Sequence, residues 1–520
     1  MYKYILILII FYLTNVFAQK DKQINWYNNS KTGLKTEKAY KFISKKNKKG
    51  LEVIVAVIDS GVDIEHEDLK GKIWINTKEI PGNKIDDDNN GYVDDIYGWN
   101  FLGNSKGENL EFSRYEKVRI YSVLRDKYER LEKSQIIESE EYNFYNKIKK
   151  EIKEEQAEYE GYNQQNKQLL QLINFIPNYV ESKIGKSNYN LNDLKNWKVE
   201  SDEELQIKNI SIALFNGEIS FEILKEQLKQ IEDNLFYHLN PEFDDRKLIG
   251  DKVDDFNDLN YGNNDVEGSD ALHGTHVAGI IGSIRDNNLG GDGVATNVKI
   301  MSLRAVPNGD EHDKDIALAI RYAVNNGAKI INMSFGKAYS MYQKEVYQAM
   351  AYADSLDVLL VHAAGNDNKD IDVEPNFPAV KYDFQTKSFN LLLTVGASTE
   401  SVKGGLAADF SNYGNKSVDI FAPGQDIYNA IPNNKYKKLD GTSMAAPMVS
   451  GVAAMLKSYY PQLSMKQIKE IILKSAKYYG NTMQRLPGSE QTIKFKQLSR
   501  SGAIVDLLRA IKTCESLISK

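Results

Sequence analysis

The sequence predicts an α/β domain with a mostly parallel central sheet flanked by helices. Two observations carry this. Four short, almost continuous apolar runs, at residues 53–58, 329–333, 358–361 and 391–395, are rich in Val, Ile and Leu. That is the pattern of strands buried on both faces of a parallel sheet. Helical patterns lie between them, at residues 316–325, closed by Gly327, and at residues 342–355. Glycine just past a helical run is a common C-terminal stop. Strands alternating with helices argue for crossover connections and hence for parallel strands.

The first run, Val53-Ile54-Val55-Ala56-Val57-Ile58, ends on Asp59. The carboxyl ends of parallel strands are where such folds place ligands. His273-Gly274-Thr275-His276-Val277-Ala278-Gly279 opens a helix of small residues, and Gly441-Thr442-Ser443-Met444-Ala445-Ala446-Pro447 opens another. A serine hydroxyl needs a base within hydrogen-bond reach to attack at neutral pH. An imidazole base needs a buried carboxylate to fix its tautomer and to stabilise its protonated form. Asp59, His273 and Ser443 supply these three roles, although His276 lies on the same helical face and spacing alone does not choose between the two histidines. Ala363-Ala364-Gly365-Asn366-Asp367 follows the run at 358–361. Asn366 can offer its side-chain amide to a developing oxyanion, with the Ser443 N–H at a helix start as a second donor.

Composition narrows the remaining classes. The chain has 520 residues, of which 42 % are hydrophobic and 27 % charged, enough for a large core and too apolar for wholesale disorder. A net charge of −6 argues against general nucleic-acid binding. The single cysteine, Cys514, excludes an intramolecular disulfide framework and a cysteine-rich zinc module. Residues 1–18 read as a secretory signal: Lys3, an apolar stretch over 5–13, and Val16-Phe17-Ala18 before Gln19. The stretch is too short to span a bilayer. The expectation is a secreted or periplasmic chain with no transmembrane segment after signal removal.

Residues 19–50 are expected to be a polar lead-in or short pro-segment, and residues 511–520 a C-terminal tail. Residues 102–250 differ in texture. Tyr121, Leu124, Tyr128 and Leu131 recur at helical steps, as do Phe144, Ile148 and Ile152, and the gaps carry Glu and Lys. This is expected to be a helical insertion, with a further helix near 221–235. The remainder, 51–101 and 251–510, is then one catalytic domain.

The motifs around Asp59, His273, Asn366 and Ser443 resemble, in type and order, those of the subtilisin-like serine peptidases (peptidase family S8). The order Asp, His, Ser is the subtilisin order and not that of α/β-hydrolases. The resemblance implies a subtilisin-like fold and a secreted serine endopeptidase acting through an acyl-enzyme on protein or peptide substrates, as a monomer. It implies His273, not His276, as the base. It also implies that Ser334-Phe335-Gly336 pairs with substrate backbone, as extended peptides do when they add a strand, and that Asp367 lies near the side-chain specificity pocket. The alternative, a catalytically silent protein- or peptide-binding relative on the same fold, expects a missing triad member, and none is missing. The link of 214 positions between Asp59 and His273 is far longer than is usual in the family, and the helical insertion accounts for it.

Seven of the ten residues from Asp86 to Asp95 are Asp or Asn. Asp86, Asp88, Asn90 and Asp94 fall at ligand positions 1, 3, 5 and 9 of a calcium loop, with Gly91 at 6, although Tyr97 replaces the closing Glu. Structural Ca²⁺ is therefore expected there, and the resemblance implies a second calcium loop at Asp286-Asn287-Asn288-Leu289-Gly290, after the His273 helix. Such ions would stabilise an exported fold that has no disulfide.

Overall fold

The computed structural model describes residues 24–403 and 405–518. The signal expected at 1–18 lies outside the described residues. The described chain divides into two compact units, Lys117–Phe243 and the rest.

The larger unit is built on a nine-stranded sheet. Its strands are β1 (Val53–Asp59), β2 (Gly98–Asn100), β3 (Val298–Arg304), β4 (Ile330–Met333), β5 (Leu359–Ala363), β6 (Leu392–Ser398), β7 (Ile420–Pro423), β10 (Lys477–Tyr478) and β13 (Ala503–Ile504), with β8 (Ile427–Ile431), β9 (Lys435–Leu439), β11 (Met483–Arg485) and β12 (Thr492–Lys494) forming two separate hairpins. The spatial order is β10-β13-β7-β6-β5-β4-β1-β3-β2. All pairings in the sheet are parallel except β10 with β13. β1 is flanked by β4 and β3, with Asp59 opposite Arg304 and Ile58 opposite Met333. The carboxyl ends of β1, β4 and β5 therefore lie side by side, and the chain leaves them at Asp59, Ser334 and Ala364.

Alternation along β1 explains the continuous apolar run. Val53, Val55 and Val57 enter one core together with Val277, Ile280, Val449 and Val452. Ala56 and Ile58 enter the opposite core with Leu303, Ile316 and Ile320. Successive side chains of a strand point to opposite faces, so only a strand covered on both sides is apolar throughout. Each fully buried Val or Ile contributes roughly 1.5–3 kcal/mol.

Helices α1 (Trp26–Asn29) and α2 (Thr36–Ser44) open the described chain. The solvated lead-in expected here is instead packed: Trp26, Tyr27 and Leu34 are fully buried and Ile43 nearly so. The Tyr27 hydroxyl donates to the Asp292 carbonyl at 3.0 Å, and the Trp26 indole N–H to the Gln425 carbonyl at 3.2 Å. The lysines at 45, 46, 48 and 49, which give residues 19–50 their polar character, come just after this segment.

The smaller unit is helical: α3 (Glu116–Tyr128), α4 (Glu140–Ile184), α5 (Leu191–Asn196), α6 (Asp202–Phe215) and α7 (Phe221–Asp233). α4 runs for 45 residues from a Ser139 cap, whose hydroxyl accepts the Tyr142 N–H, to Gly185 in the left-handed conformation. Ile176, Val180, Leu194, Trp197, Ile207 and Ile210 form a core of its own. The compact unit begins and ends at 117 and 243, inside the expected limits of 102 and 250. Flanking residues belong to the larger unit, where Arg114 pairs with Asp245 and Arg246 with Asp315.

The remaining helices are α8 (Leu272–Gly282), α9 (Asp313–Asn325), α10 (Gln343–Ser355), α11 (Thr442–Tyr459), α12 (Met465–Ser475) and α13 (Leu507–Ile518). Among the described residues no helix is long and apolar enough to cross a membrane.

Candidate active site

Asp59 closes β1 and is almost fully buried. Its Oδ1 lies 2.6 Å from His273 Nδ1 and also accepts the Ser60 N–H at 2.8 Å. His273 is the second residue of α8. Gly274 makes the approach possible: a Cβ there would stand 2.1 Å from the Gly61 carbonyl oxygen. Burial pulls the His273 pKa down, but the Asp59 carboxylate, by charge and by hydrogen bond, outweighs this and holds it above the ordinary value of 6.5.

His276 is separated from this role by geometry. It is fully buried, and its Nε2 sits between the Ile427 and Lys437 carbonyls at 3.0 and 3.1 Å, joining α8 to the β8–β9 hairpin. Burial pushes its pKa down to about 4, so it stays neutral and donates this hydrogen.

Ser443 is the second residue of α11. Its hydroxyl donates to the Ser334 carbonyl at 3.1 Å, and the Ser334 hydroxyl donates in return to the Ser443 carbonyl at 2.9 Å. The Ser443 hydroxyl is thus directed at Ser334, and a bond from such a nucleophile to its base is often loose before substrate arrives.

The Asn366 amide is oriented by Thr442. Its Oδ1 accepts the Thr442 N–H at 2.8 Å and the Thr442 hydroxyl at 3.0 Å. With the oxygen so occupied, the Nδ2 hydrogens face the opposite way, as an oxyanion donor must. Asn366→Leu is expected to lower kcat by about 10²–10³-fold with little change in KM, measured by steady-state peptide hydrolysis.

Ser334-Phe335-Gly336 continues beyond β4 with an alternating pattern of bonds. The Phe335 carbonyl is held from behind by His362 Nε2–H at 2.8 Å. Lys337 exchanges both main-chain hydrogen bonds with Phe377, at 3.1 and 2.8 Å. Among the described residues, the main-chain N–H and C=O of Gly336 carry no hydrogen bond, and the Ser334 carbonyl meets only the Ser443 hydroxyl. Residues 335 and 337 are thus anchored, Gly336 carries open main-chain groups, and the Ser334 carbonyl is held only by the mobile Ser443 hydroxyl, an arrangement that suits the acceptance of an added strand. His362 is neutral because burial drives its pKa down to about 4.

Asp367 is exposed on the loop after Asn366, and its N–H donates to Asn412 Oδ1 at 2.9 Å. Asn376 packs against Gly336 of the 334–336 segment. A Cβ on Gly336 would lie 2.5 Å from its Nδ2, which also donates to the Ala363 and Ala364 carbonyls at 3.4 and 3.3 Å. Thr442, His362 and Asn376 were not singled out from sequence. Thr442 lies inside a motif already chosen, but the other two have no local signal.

The acidic loop is only partly convergent. Carboxylate oxygens of Asp86 and Asp88 come within 4.8 Å of each other and of Glu79, which lies outside the loop pattern. Glu79 is buried, and its Oε2 has no hydrogen-bond partner among the described residues. A buried, unpartnered carboxylate oxygen beside two other carboxylates fits a hard cation with oxygen ligands. Asp94 instead closes the loop, its two oxygens accepting the Gly82 and Lys84 N–H groups at 2.8 Å each. Asn90 binds Asp95 through Nδ2 at 2.9 Å and accepts the Tyr92 N–H. In the second loop, Asp286 is joined by Glu37 and Asp292.

The chain is similar in sequence to known proteases. The family described as the subtilase family matches residues 50–489. The chain is 38 % identical over 204 residues to subtilisin-like protease 2 of Plasmodium falciparum, covering 38 % of this chain and 14 % of that protein. It is 36 % identical over 216 residues to the cell wall-associated protease of Bacillus subtilis, covering 41 % and 22 %. It is 36 % identical over 210 residues to the thermostable alkaline protease of Halalkalibacterium halodurans, covering 40 % and 53 %. The chain thus spans about half or less of the length of these relatives. A solved prenylagaramide maturation protease shares 31 % identity over 47 % of this chain and 82 % of that one, with a TM-score of 0.38. The family match covers most of the chain and includes all four motifs. The chain belongs to the subtilase family.

Proposed function

We propose that this chain is an exported serine endopeptidase acting on protein or peptide substrates. The observation that carries the reading is the 2.6 Å contact between His273 Nδ1 and the buried Asp59 Oδ1. It leaves Nε2 as the free nitrogen of an imidazole whose protonated form is stabilised.

The substrate lies as an added strand along 334–336. The Ser443 Oγ attacks the scissile carbonyl carbon while His273 Nε2 takes its proton, and Asp59 stabilises the resulting imidazolium. The carbonyl oxygen becomes an oxyanion that accepts hydrogen bonds from Asn366 Nδ2 and the Ser443 N–H. The intermediate collapses as the carbon–nitrogen bond breaks, and His273 returns the proton to the leaving amine. Water then enters, activated by the same imidazole, and hydrolyses the acyl ester.

Purified wild-type chain is expected to release peptides from casein, and the Ser443→Ala chain is not. Equal release by both would refute the reading, and no release by either would favour a silent binding protein.

Structural calcium at Glu79, Asp86 and Asp88 belongs to the same proposal. Packed carboxylates repel one another without a cation, so ion binding is expected to stabilise the fold. At calcium about 100-fold above Kd the gain is about 2.7 kcal/mol, which corresponds to roughly 2–5 °C. Chelation should lower the melting midpoint of wild type by that amount, and Glu79→Gln should remove the dependence on calcium.

A further inference from the structure

The open main-chain groups of Gly336 bind a peptide well only if the segment is held rigidly from behind. One of its anchors is unusual. Lys337, the residue after Gly336, is buried, with its side chain 2 % exposed. Its ammonium group lies 2.7 Å from the Glu311 carbonyl, 2.8 Å from Asp313 Oδ1 and 3.3 Å from Glu116 Oε2. The ammonium group is thus surrounded by acceptors.

The two carboxylates are themselves fixed. Glu116 Oε1 accepts the Met341 N–H at 2.8 Å, and the Glu116 N–H donates to Asp310 Oδ2 at 2.7 Å. Asp313 Oδ2 accepts the Ser340 hydroxyl at 2.9 Å and the Tyr342 N–H at 2.8 Å. Asp313 begins α9, and Glu116 is the last residue of the larger unit before the helical unit starts.

A buried lysine is costly unless fully paired. A site that needed only packing could use an apolar residue here. The cage instead fixes the position of one backbone residue, the neighbour of the open Gly336. We propose that Lys337 is a positioning residue that sets the register of the peptide-binding segment. Through Glu116 it also fastens that segment to the stem from which the helical insertion departs. The proposal rests on the peptidase reading above, and its expected mark is selectivity for length. An extended substrate uses the edge, whereas a single-residue ester reaches Ser443 and Asn366 without it.

The test compares Lys337→Met, Lys337→Arg and Glu116→Gln on a tetrapeptide p-nitroanilide and on an acetylated single-residue p-nitrophenyl ester. Lys337→Met is expected to lose about 10–100-fold in kcat/KM on the tetrapeptide, mostly through KM. On the ester the loss should be only about 2–3-fold. Lys337→Arg should recover most of the tetrapeptide activity, and Glu116→Gln should show a smaller loss of the same selectivity. Glu116→Gln keeps the Lys337–Asp313 pair and so reports even if Lys337→Met does not fold. Equal losses on both substrates, or no loss on either, would overturn the proposal. A wild type inactive on both would count against the peptidase reading. Titration of the tetrapeptide amide into Ser443→Ala chains, with and without the Glu116→Gln change, then still decides. Weaker binding with the change supports the positioning role, and equal binding overturns it.

Discussion

Ser443→Ala is expected to lower kcat for peptide hydrolysis by about 10⁶-fold, and His273→Ala by about the same, since the two act as one unit. The double variant should be hardly worse than either single one. The loss should come without unfolding. Among the described residues the Ser443 hydroxyl makes one hydrogen bond, to the Ser334 carbonyl, and α11 is otherwise held by an apolar stripe that includes Met448, Val449, Val452 and Leu456. Melting midpoints of wild type and Ser443→Ala should therefore agree closely while their steady-state rates diverge.

Asp59→Asn is the second large effect, about 10⁴-fold in kcat. The amide would favour the wrong imidazole tautomer and could not stabilise the imidazolium. The pH profile should change as well. In wild type the base works when neutral, so kcat/KM rises with pH as His273 loses its proton. The midpoint lies above 6.5, because Asp59 outweighs burial. Without the Asp59 charge, only the weaker pull of Asp270 opposes burial, and the pKa falls. The acid limb should then move to lower pH even as the plateau falls. A plateau that falls with an unmoved limb would show that Asp59 does not set the charge state of His273.

The parts of this site that were legible in the sequence are those written in contiguous motifs. Asp59, His273, Asn366 and Ser443 each sit among small or apolar neighbours because a helix start or strand end must approach closely, as Gly274 does against Gly61. Strands β1, β4, β5 and β6 were legible because both their faces are covered. β3 was not, since Lys299, Ser302 and Arg304 interrupt its apolar pattern. Arg304 is nevertheless buried, its guanidinium donating to the Ser60 carbonyl, Asn100 Oδ1 and the Leu110 carbonyl. Charged residues buried in this way are invisible to a hydropathy pattern.

Residues whose role depends on a distant partner were equally hidden. His362 holds Phe335 from 27 positions away, and Lys337 meets Glu116 across more than two hundred residues that include the whole helical unit. Glu79 precedes the acidic loop it joins, beyond Ile80 and Pro81, so no loop spacing includes it. The α1 and α2 segment was misread for a related reason. Trp26, Tyr27, Leu34 and Ile43 are spread among polar residues and become core only when the loop at Asp292 and the turn at Gln425 are brought against them.

The central claim is that Asp59 and His273 make Ser443 a nucleophile. It is tested most directly by treating the purified chain with a peptidyl phosphonate and locating the adduct by peptide mass spectrometry. One phosphonyl group is expected on Ser443 in wild type, formed much more slowly in Asp59→Asn and absent from Ser443→Ala. An unmodified wild-type chain, or an adduct on any residue other than Ser443, would contradict the account.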